Sequence, residues 1–219
     1  MSSFIGHSVA AITVYLTTEQ LVFTTATTKP CKSLLRIEQW LWLGWLVVIA
    51  SIPDLDYVVK SWHSSNNSGL RITHSVLFSL IFPCLTVAAL LLLNSRTFWQ
   101  RSIQVILAGL SHLVLDLLVG VTPLPLWFPL LKMPIKLPFG ILPSAGRIDL
   151  DNYYFYRNLG LEMGVLLPVL ITVSLLGFPG NGIFLGQNGF WGKLLKLFFL
   201  AVMMLCMVYF IKQNLQLPR

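Results

Sequence analysis

The apolar run from Ser102 to Val121 carries two ionisable side chains, His112 and Asp116. At about 20 residues, such a run is long enough to cross a bilayer as a helix. Residues four apart on a helix share one face, one turn apart. An ionisable group at membrane depth costs roughly 2.5–3.5 kcal/mol on insertion scales. A histidine and an aspartate together on such a face therefore need partners. They form either a structural hydrogen-bonded pair inside a bundle or part of a site.

Composition supports the membrane reading. Of 219 residues, 56% are hydrophobic and 11% charged, whereas soluble domains carry about 25% charged residues. The fold class expected is all-α, a polytopic transmembrane helical bundle with an interfacial metal site, forming a single domain over residues 1–219. The net charge of +7 suits loops facing anionic head groups, and no nucleic-acid partner is expected. Cys31, Cys84 and Cys206 form no close pair, which excludes a disulfide framework and a thiolate metal site. The N-terminal residues lack a basic stretch before the first apolar run, so no removable signal peptide is expected.

Apolar segments are read at Phe4–Phe23, Gln39–Ser51, Ser75–Leu93, Ser102–Val121, Leu161–Phe178 and Leu194–Ile211. The first is rich in threonine, interrupted by His7, Glu19 and Gln20, and expected to lie partly against the bundle. Thr73 and Ser75 are candidate caps for the third, and Pro83 should kink it. Polar loops are expected at 24–36 and 57–71, the second holding His63 as a solvated histidine. Residues 121–158 hold six prolines through Pro143, which forbid a long helix there. This stretch is expected to be a long loop. Its Trp127, Tyr153, Tyr154 and Tyr156 suit a membrane–water interface, and its Lys132, Lys136, Arg147 and Arg157 suit an anionic lipid surface.

Successive antiparallel helices would bring the start of each odd helix beside the end of each even one. His7 lies at the start of the first, Asp54 and Asp56 at the end of the second, His74 at the start of the third, and His112 and Asp116 late in the fourth. All six are then expected at one end of the bundle. Imidazole with carboxylate is the ligand set of zinc, manganese or iron. Without a cation, the buried carboxylates would cost several kcal/mol each. Arg71, three residues before His74, is placed to meet an anionic group, or else to snorkel to the interface. Basic residues divide almost evenly between the two ends, so the positive-inside rule sets no orientation.

His7, Ser51-Ile-Pro-Asp-Leu-Asp56, Arg71-Ile-Thr-His-Ser75 and Ser111-His-Leu-Val-Leu-Asp116 resemble the four signatures of the YdjM-type family. That family is described as membrane-bound, metal-dependent hydrolases. The segment from Gly120 to Pro129, with its Trp-Phe-Pro, is similar to the family's Gly…Trp-Pro stretch. The order of ligands is more distantly similar to that of zinc-dependent phospholipase C and P1-nuclease enzymes. What this likeness implies is one metal on Asp54 or Asp56, His74, His112 and Asp116, with His7 and a bridging Asp116 helping to hold another. Those enzymes have a further His…His-x-x-x-Glu set. This chain has no histidine after His112, and Glu162 is its one late glutamate, so one or two ions are expected, zinc foremost and manganese next.

The expected function is hydrolysis of a phosphate ester, in a membrane lipid, by metal-activated water. Arg71 would stabilise the phosphoryl oxygens, and whichever of Asp54 and Asp56 is not a ligand would act as general base. The alternatives are a protein that translocates ions or protons and a non-catalytic membrane assembly factor. Localisation is expected to be multi-pass, in a bacterial plasma membrane or its equivalent. The sequence sets no oligomeric state.

Overall fold

A computed structural model describes residues 2–25, 37–57, 71–120, 122–131, 133–138, 140–144, 151–177 and 190–215. His63, Lys132 and Arg147 lie outside these, as do residues 26–36 and 58–70. The described residues form six α-helices: α1 (Phe4–Thr25), α2 (Ile37–Ser51), α3 (Val76–Leu92), α4 (Phe98–Val119), α5 (Tyr153–Gly177) and α6 (Phe190–Leu215). Two 3-10 turns, Ile52–Tyr57 and Ile72–His74, sit between α2 and α3. No strand occurs among the described residues. An isolated antiparallel bridge joins Leu124 and Ile135.

Helix α1 is the hub, packing on α2, α4 and α5, while α3 lies on α4 and α6 on α5. This is more central than its sequence suggests, and its threonines explain why. The hydroxyls of Thr13, Thr17 and Thr18 donate to carbonyls one turn back, at 2.7–2.8 Å, so they enter an apolar core already satisfied. One face of α1 supplies Ala11 and Tyr15 to a cluster with Leu46, Ile49, Val105 and Ala108. Ala10 joins a second cluster with Leu115, Val119, Leu142 and Val165.

Helix boundaries follow local chemistry. The Ser75 hydroxyl accepts from the Phe78 amide at 3.2 Å and caps α3. Gly120, with φ 62°, takes the left-handed conformation that ends α4. Pro83 inside α3 offers no amide to the Ser79 carbonyl. Gly109 of α4 lies against that spot: a Cβ there would sit 2.7 Å from the Ser79 oxygen and 2.8 Å from Pro83 Cγ. The small residue lets the two helices close together.

The loop expected over 121–158 is shorter than that. Helix α5 starts at Tyr153, two turns before the expected Leu161, because the Asn152 side chain accepts from the Tyr154 amide at 2.9 Å and caps it. The tyrosines at 153, 154 and 156 are therefore helical and exposed, with the Arg157 guanidinium over the Tyr154 ring.

Among the described residues, two helices are long and apolar enough to cross a membrane by length and composition, Phe98–Val119 and Tyr153–Ser174, and Val76–Leu92 and Leu197–Gln213 are shorter apolar helices. Far from the His-bearing start of α1, a polar network ties α1, α2 and α4. The Gln104 amide donates to Thr18 Oγ1 at 3.0 Å and accepts from Trp42 Nε1 at 2.6 Å, and Gln100 donates to Glu19. About eleven residues of helix, roughly 17 Å, separate this network from the site.

Candidate metal centre

Four elements deliver the site. His7 comes from the first turns of α1, Asp54 and Asp56 from the turn that continues α2, His74 from the turn before α3, and His112 and Asp116 from the last turns of α4. Pro53 stops α2 as an α-helix, and the chain continues in the tighter 3-10 form. That turn swings Asp54 under the bundle end. His7, His74 and His112 are fully buried, and Asp56 and Asp116 are 1% exposed. Asp54 alone keeps a solvent face, its side chain 16% exposed.

All six residues meet at one end, as the antiparallel reading requires. Within the group, one ligand atom each from Asp54, His74, His112 and Asp116 lie within 4.8 Å of one another. The edges are short: His74 Nε2 is 3.2 Å from Asp116 Oδ2 and 3.6 Å from Asp54 Oδ1. His112 Nε2 is 3.6 Å and 3.8 Å from the same two oxygens. A tetrahedral shell of nitrogen and oxygen ligands at about 2.0–2.1 Å has edges of about 3.3–3.4 Å. These four atoms, Asp54 Oδ1, His74 Nε2, His112 Nε2 and Asp116 Oδ2, are also buried without a hydrogen-bond partner. Buried polar atoms are nearly always satisfied, so four orphans facing a common point fit a cation between them.

The outer hydrogen bonds set the same polarity. His112 Nδ1 lies 2.7 Å from the Ala50 carbonyl. A carbonyl only accepts, so Nδ1 carries the proton and Nε2 presents its lone pair. His74 reaches the same state by a relay. The Thr73 hydroxyl donates to Asp56 Oδ2 at 3.2 Å, and its oxygen is 2.9 Å from His74 Nδ1. With its single proton spent on the carboxylate, Thr73 accepts from His74 Nδ1–H. The arrangement of histidine, hydroxyl and carboxylate is the kind of outer shell that orients metal-binding imidazoles.

This relay separates the two aspartates that the sequence leaves interchangeable. Asp54 points an oxygen into the cluster, whereas Asp56 stands behind His74. Arg71 lies against Asp56, with Nε 3.8 Å from Oδ2, so it too borders the ring of ligand atoms rather than joining it.

His7 occupies a flank. Its ring stacks on His112 at 3.9 Å between centroids and 14° between planes. Its Nε2 is 3.4 Å from Asp54 Oδ2 and 3.9 Å from Asp116 Oδ1, the outer oxygens of both carboxylates. Three residues fix this flank, two of them, Ser2 and Ser3, beyond the sequence reading. The Ser2 amide donates to Asp116 Oδ1 at 2.9 Å, and the Ser2 hydroxyl is 2.7 Å from His7 Nε2. The Ser3 amide donates to both Glu162 oxygens, at 2.9 and 3.1 Å. Glu162 thus anchors the N-terminal segment and contributes no atom to the four-residue ring.

The charges need balancing. Burial alone would raise the Asp54 carboxyl, but the neighbouring His74, His112 and His7 outweigh it and hold it below its ordinary range. Burial alone would depress His74, but Asp116 and Asp54 outweigh it and raise its pKa above 6.5. Without a metal, a proton on His74 answers the paired carboxylates.

A family model described as YdjM inner membrane protein matches residues 1–215. No curated protein and no solved structure gives a significant match.

Proposed function

The chain belongs to the YdjM inner membrane protein family, and from that premise we propose a multi-pass membrane hydrolase that cleaves a phosphate ester of a lipid at a divalent-metal site. The observation that carries this reading is the ring of four orphaned, buried ligand atoms on Asp54, His74, His112 and Asp116. Zinc foremost, or manganese, would be held there. When bound, such a metal supplies Lewis acidity and makes a water acidic enough to act near neutral pH.

The rest falls to the chain. Asp54 borders solvent, so the phosphate approaches along its side of the ring. His7 Nε2, 3.4 Å from Asp54 Oδ2, flanks that approach and orients the outer oxygen of the carboxylate. Asp56 and Thr73 hold the His74 tautomer, and Asp56 also steers Arg71. The Arg71 guanidinium, at the rim, suits a phosphoryl group because it donates in a planar fork. The exposed Trp127, Tyr153, Tyr154 and Tyr156 suit the head-group layer. Lys136 and Arg157 would add to the attraction of an anionic lipid, by about 1 kcal/mol per charge near the surface.

The test is to incubate purified protein with zinc or manganese and a panel of phospholipids, lipid phosphates and soluble nucleotides, with His112→Ala as control. Metal-dependent release of phosphate or head group from lipids by the wild type alone is expected. Turnover of nucleotides alone, or equal turnover by the variant, would reject the reading.

A further inference from the structure

An apolar groove of about 460 Å³ lies between α3 and the segment that follows α4. One wall is the row Val76, Leu80 and Cys84, spaced four apart on one face of α3, with residues 77 and 81 beside it. Leu126 and Trp127 belong to the other wall. The walls are joined at the top, where the Val76 amide donates to the Leu126 carbonyl at 2.9 Å. This face of α3 is distinct from the one carrying Ser79 and Pro83, which is closed against Gly109 of α4.

The direction of the groove is informative. It begins at Val76, two residues past His74, and continues to Cys84, about 12 Å further along the helix axis. Helix α3 contains no charged residue, so the groove leads from the metal-ligand cluster into apolar surroundings. Its upper end starts two residues past His74 and five past Arg71 in the chain, and the side chains lining it are apolar, with the Cys84 thiol at its foot. An occupant must match that polarity, with an anionic group at one end and an unbranched apolar body. A peptide would bring unpaired amides into the groove. A hydrocarbon chain brings none.

We infer that this groove is an acyl-chain slot, holding one chain of a phosphate-bearing membrane lipid whose head group reaches Arg71 and the cluster. The inference rests on the proposed lipid substrate, and it adds where the tail lies and what sets chain preference. Leu80 at mid-groove and Cys84 at its foot determine how much chain fits. Trp127, half exposed, covers the chain near the head group.

The experiment uses the full chain in lipid nanodiscs containing a phosphatidic acid with a photoreactive diazirine midway along one acyl chain. After irradiation, cross-linked peptides are mapped by mass spectrometry in wild type and in His112→Ala, Leu80→Trp, Cys84→Phe and Leu205→Trp. Labels should concentrate on residues 76–84 and 126–130 in the wild type and in the inactive His112→Ala. Filling the slot with Leu80→Trp or Cys84→Phe should lower this labelling at least tenfold, and Leu205→Trp, on the exposed face of α6, should leave it unchanged. Labelling spread evenly over the lipid-facing helices, or unaffected by both filling variants, would overturn the slot. Because His112→Ala is included, labelling at the groove without hydrolysis in any protein would reject the phosphoesterase reading and leave the slot standing. Hydrolysis without localised labelling would do the reverse.

Discussion

His74 Nε2 and Asp116 Oδ2 lie 3.2 Å apart, both buried, with no aligned hydrogen bond between them. With Nδ1 protonated toward Thr73, two lone pairs face each other across that gap. Such an arrangement persists only if a cation or a proton sits between the two atoms. The same holds for His112 Nε2 and Asp54 Oδ1, which complete the ring.

Asp116→Asn removes a ring oxygen's charge, and it also weakens the acceptor that holds the Ser2 amide. Asp151 is exposed, two residues before α5 and outside the ring of ligand atoms. Zinc affinity should fall by more than about 100-fold in Asp116→Asn, exceeding the 10–100-fold loss seen for outer-shell changes, and stay near wild type in Asp151→Asn. Metal stoichiometry after dialysis against a chelator measures this. Equal retention by both variants would remove Asp116 from the ligand set.

Thr73→Val deletes the hydroxyl between Asp56 and His74 without altering the side-chain shape greatly. His74 then loses what fixes its tautomer, and zinc affinity should drop by about 10–100-fold. Thr73→Ser should restore most of it, since the relay needs only the hydroxyl. If the valine and serine variants bind zinc alike, the relay has no part in metal binding.

Protonation gives a test in the metal-free protein. The folded pKa of His74 is raised above 6.5, so its contribution to stability is fully present below 6.5 and lost as pH rises through the folded value. The folded pKa of Asp54 is lowered from 3.8, so its contribution is present above 3.8 and lost as pH falls through the folded value. Above about pH 7.5, where every imidazole of the unfolded chain is already neutral, chelator-stripped protein should therefore melt at lower temperature as pH is raised toward about 9. Zinc-loaded protein should not, because the metal replaces the proton, and zinc affinity should rise over the same interval. Differential scanning fluorimetry of both forms decides it, and parallel pH profiles would contradict the account.

Gly109→Ala places a methyl 2.7 Å from the Ser79 carbonyl, where backbone cannot yield cheaply. A loss of about 1–3 kcal/mol in stability is expected from such overpacking. Since His112 follows three residues later, the shift of α4 should also weaken zinc binding. Gln104→Leu, at the far polar network, should reduce stability and leave zinc affinity alone. Chemical unfolding and zinc titration of the two variants separate the effects.

How much of this was legible in the sequence depends on whether an interaction is local. His7, Asp54, His74, His112 and Asp116 mark themselves as polar groups at alternating ends of apolar segments, and antiparallel packing alone gathers them. The choice between Asp54 and Asp56 is not legible, since two residues on a 3-10 turn diverge by an angle that no apolar periodicity reports. Thr73 reads as a helix cap because it precedes α3, yet Ser75 takes that role and frees Thr73 for the relay. Asn152 is a cap signal hidden by a proline-rich context. The tie from Ser3 to Glu162 spans 159 residues, and only the packing of α1 on α5 brings it about. Gly6 shows the same dependence, being small where Glu162 crosses α1.

Glu162 offers the sharpest separation between holding the site and being part of it. Both its oxygens accept from the Ser3 amide, and Ser2 beside it contacts His7 and Asp116. Glu162→Ala leaves that amide buried without an acceptor, which costs about 1–3 kcal/mol, and the N-terminal segment should loosen. Hydrogen exchange of the amides from Ser3 to His7 should therefore accelerate by about 10-fold or more, following a loss of roughly 1.4 kcal/mol or greater in local opening free energy. The ring of Asp54, His74, His112 and Asp116 contains no atom of Glu162, so zinc should still bind at wild-type stoichiometry, with a change in affinity smaller than that of Asp116→Asn. Turnover should fall, since Ser2 holds Asp116 and His7 from this segment. Loss of zinc equal to that of Asp116→Asn would instead make Glu162 a ligand, and unchanged exchange would leave the N-terminal tie without a role.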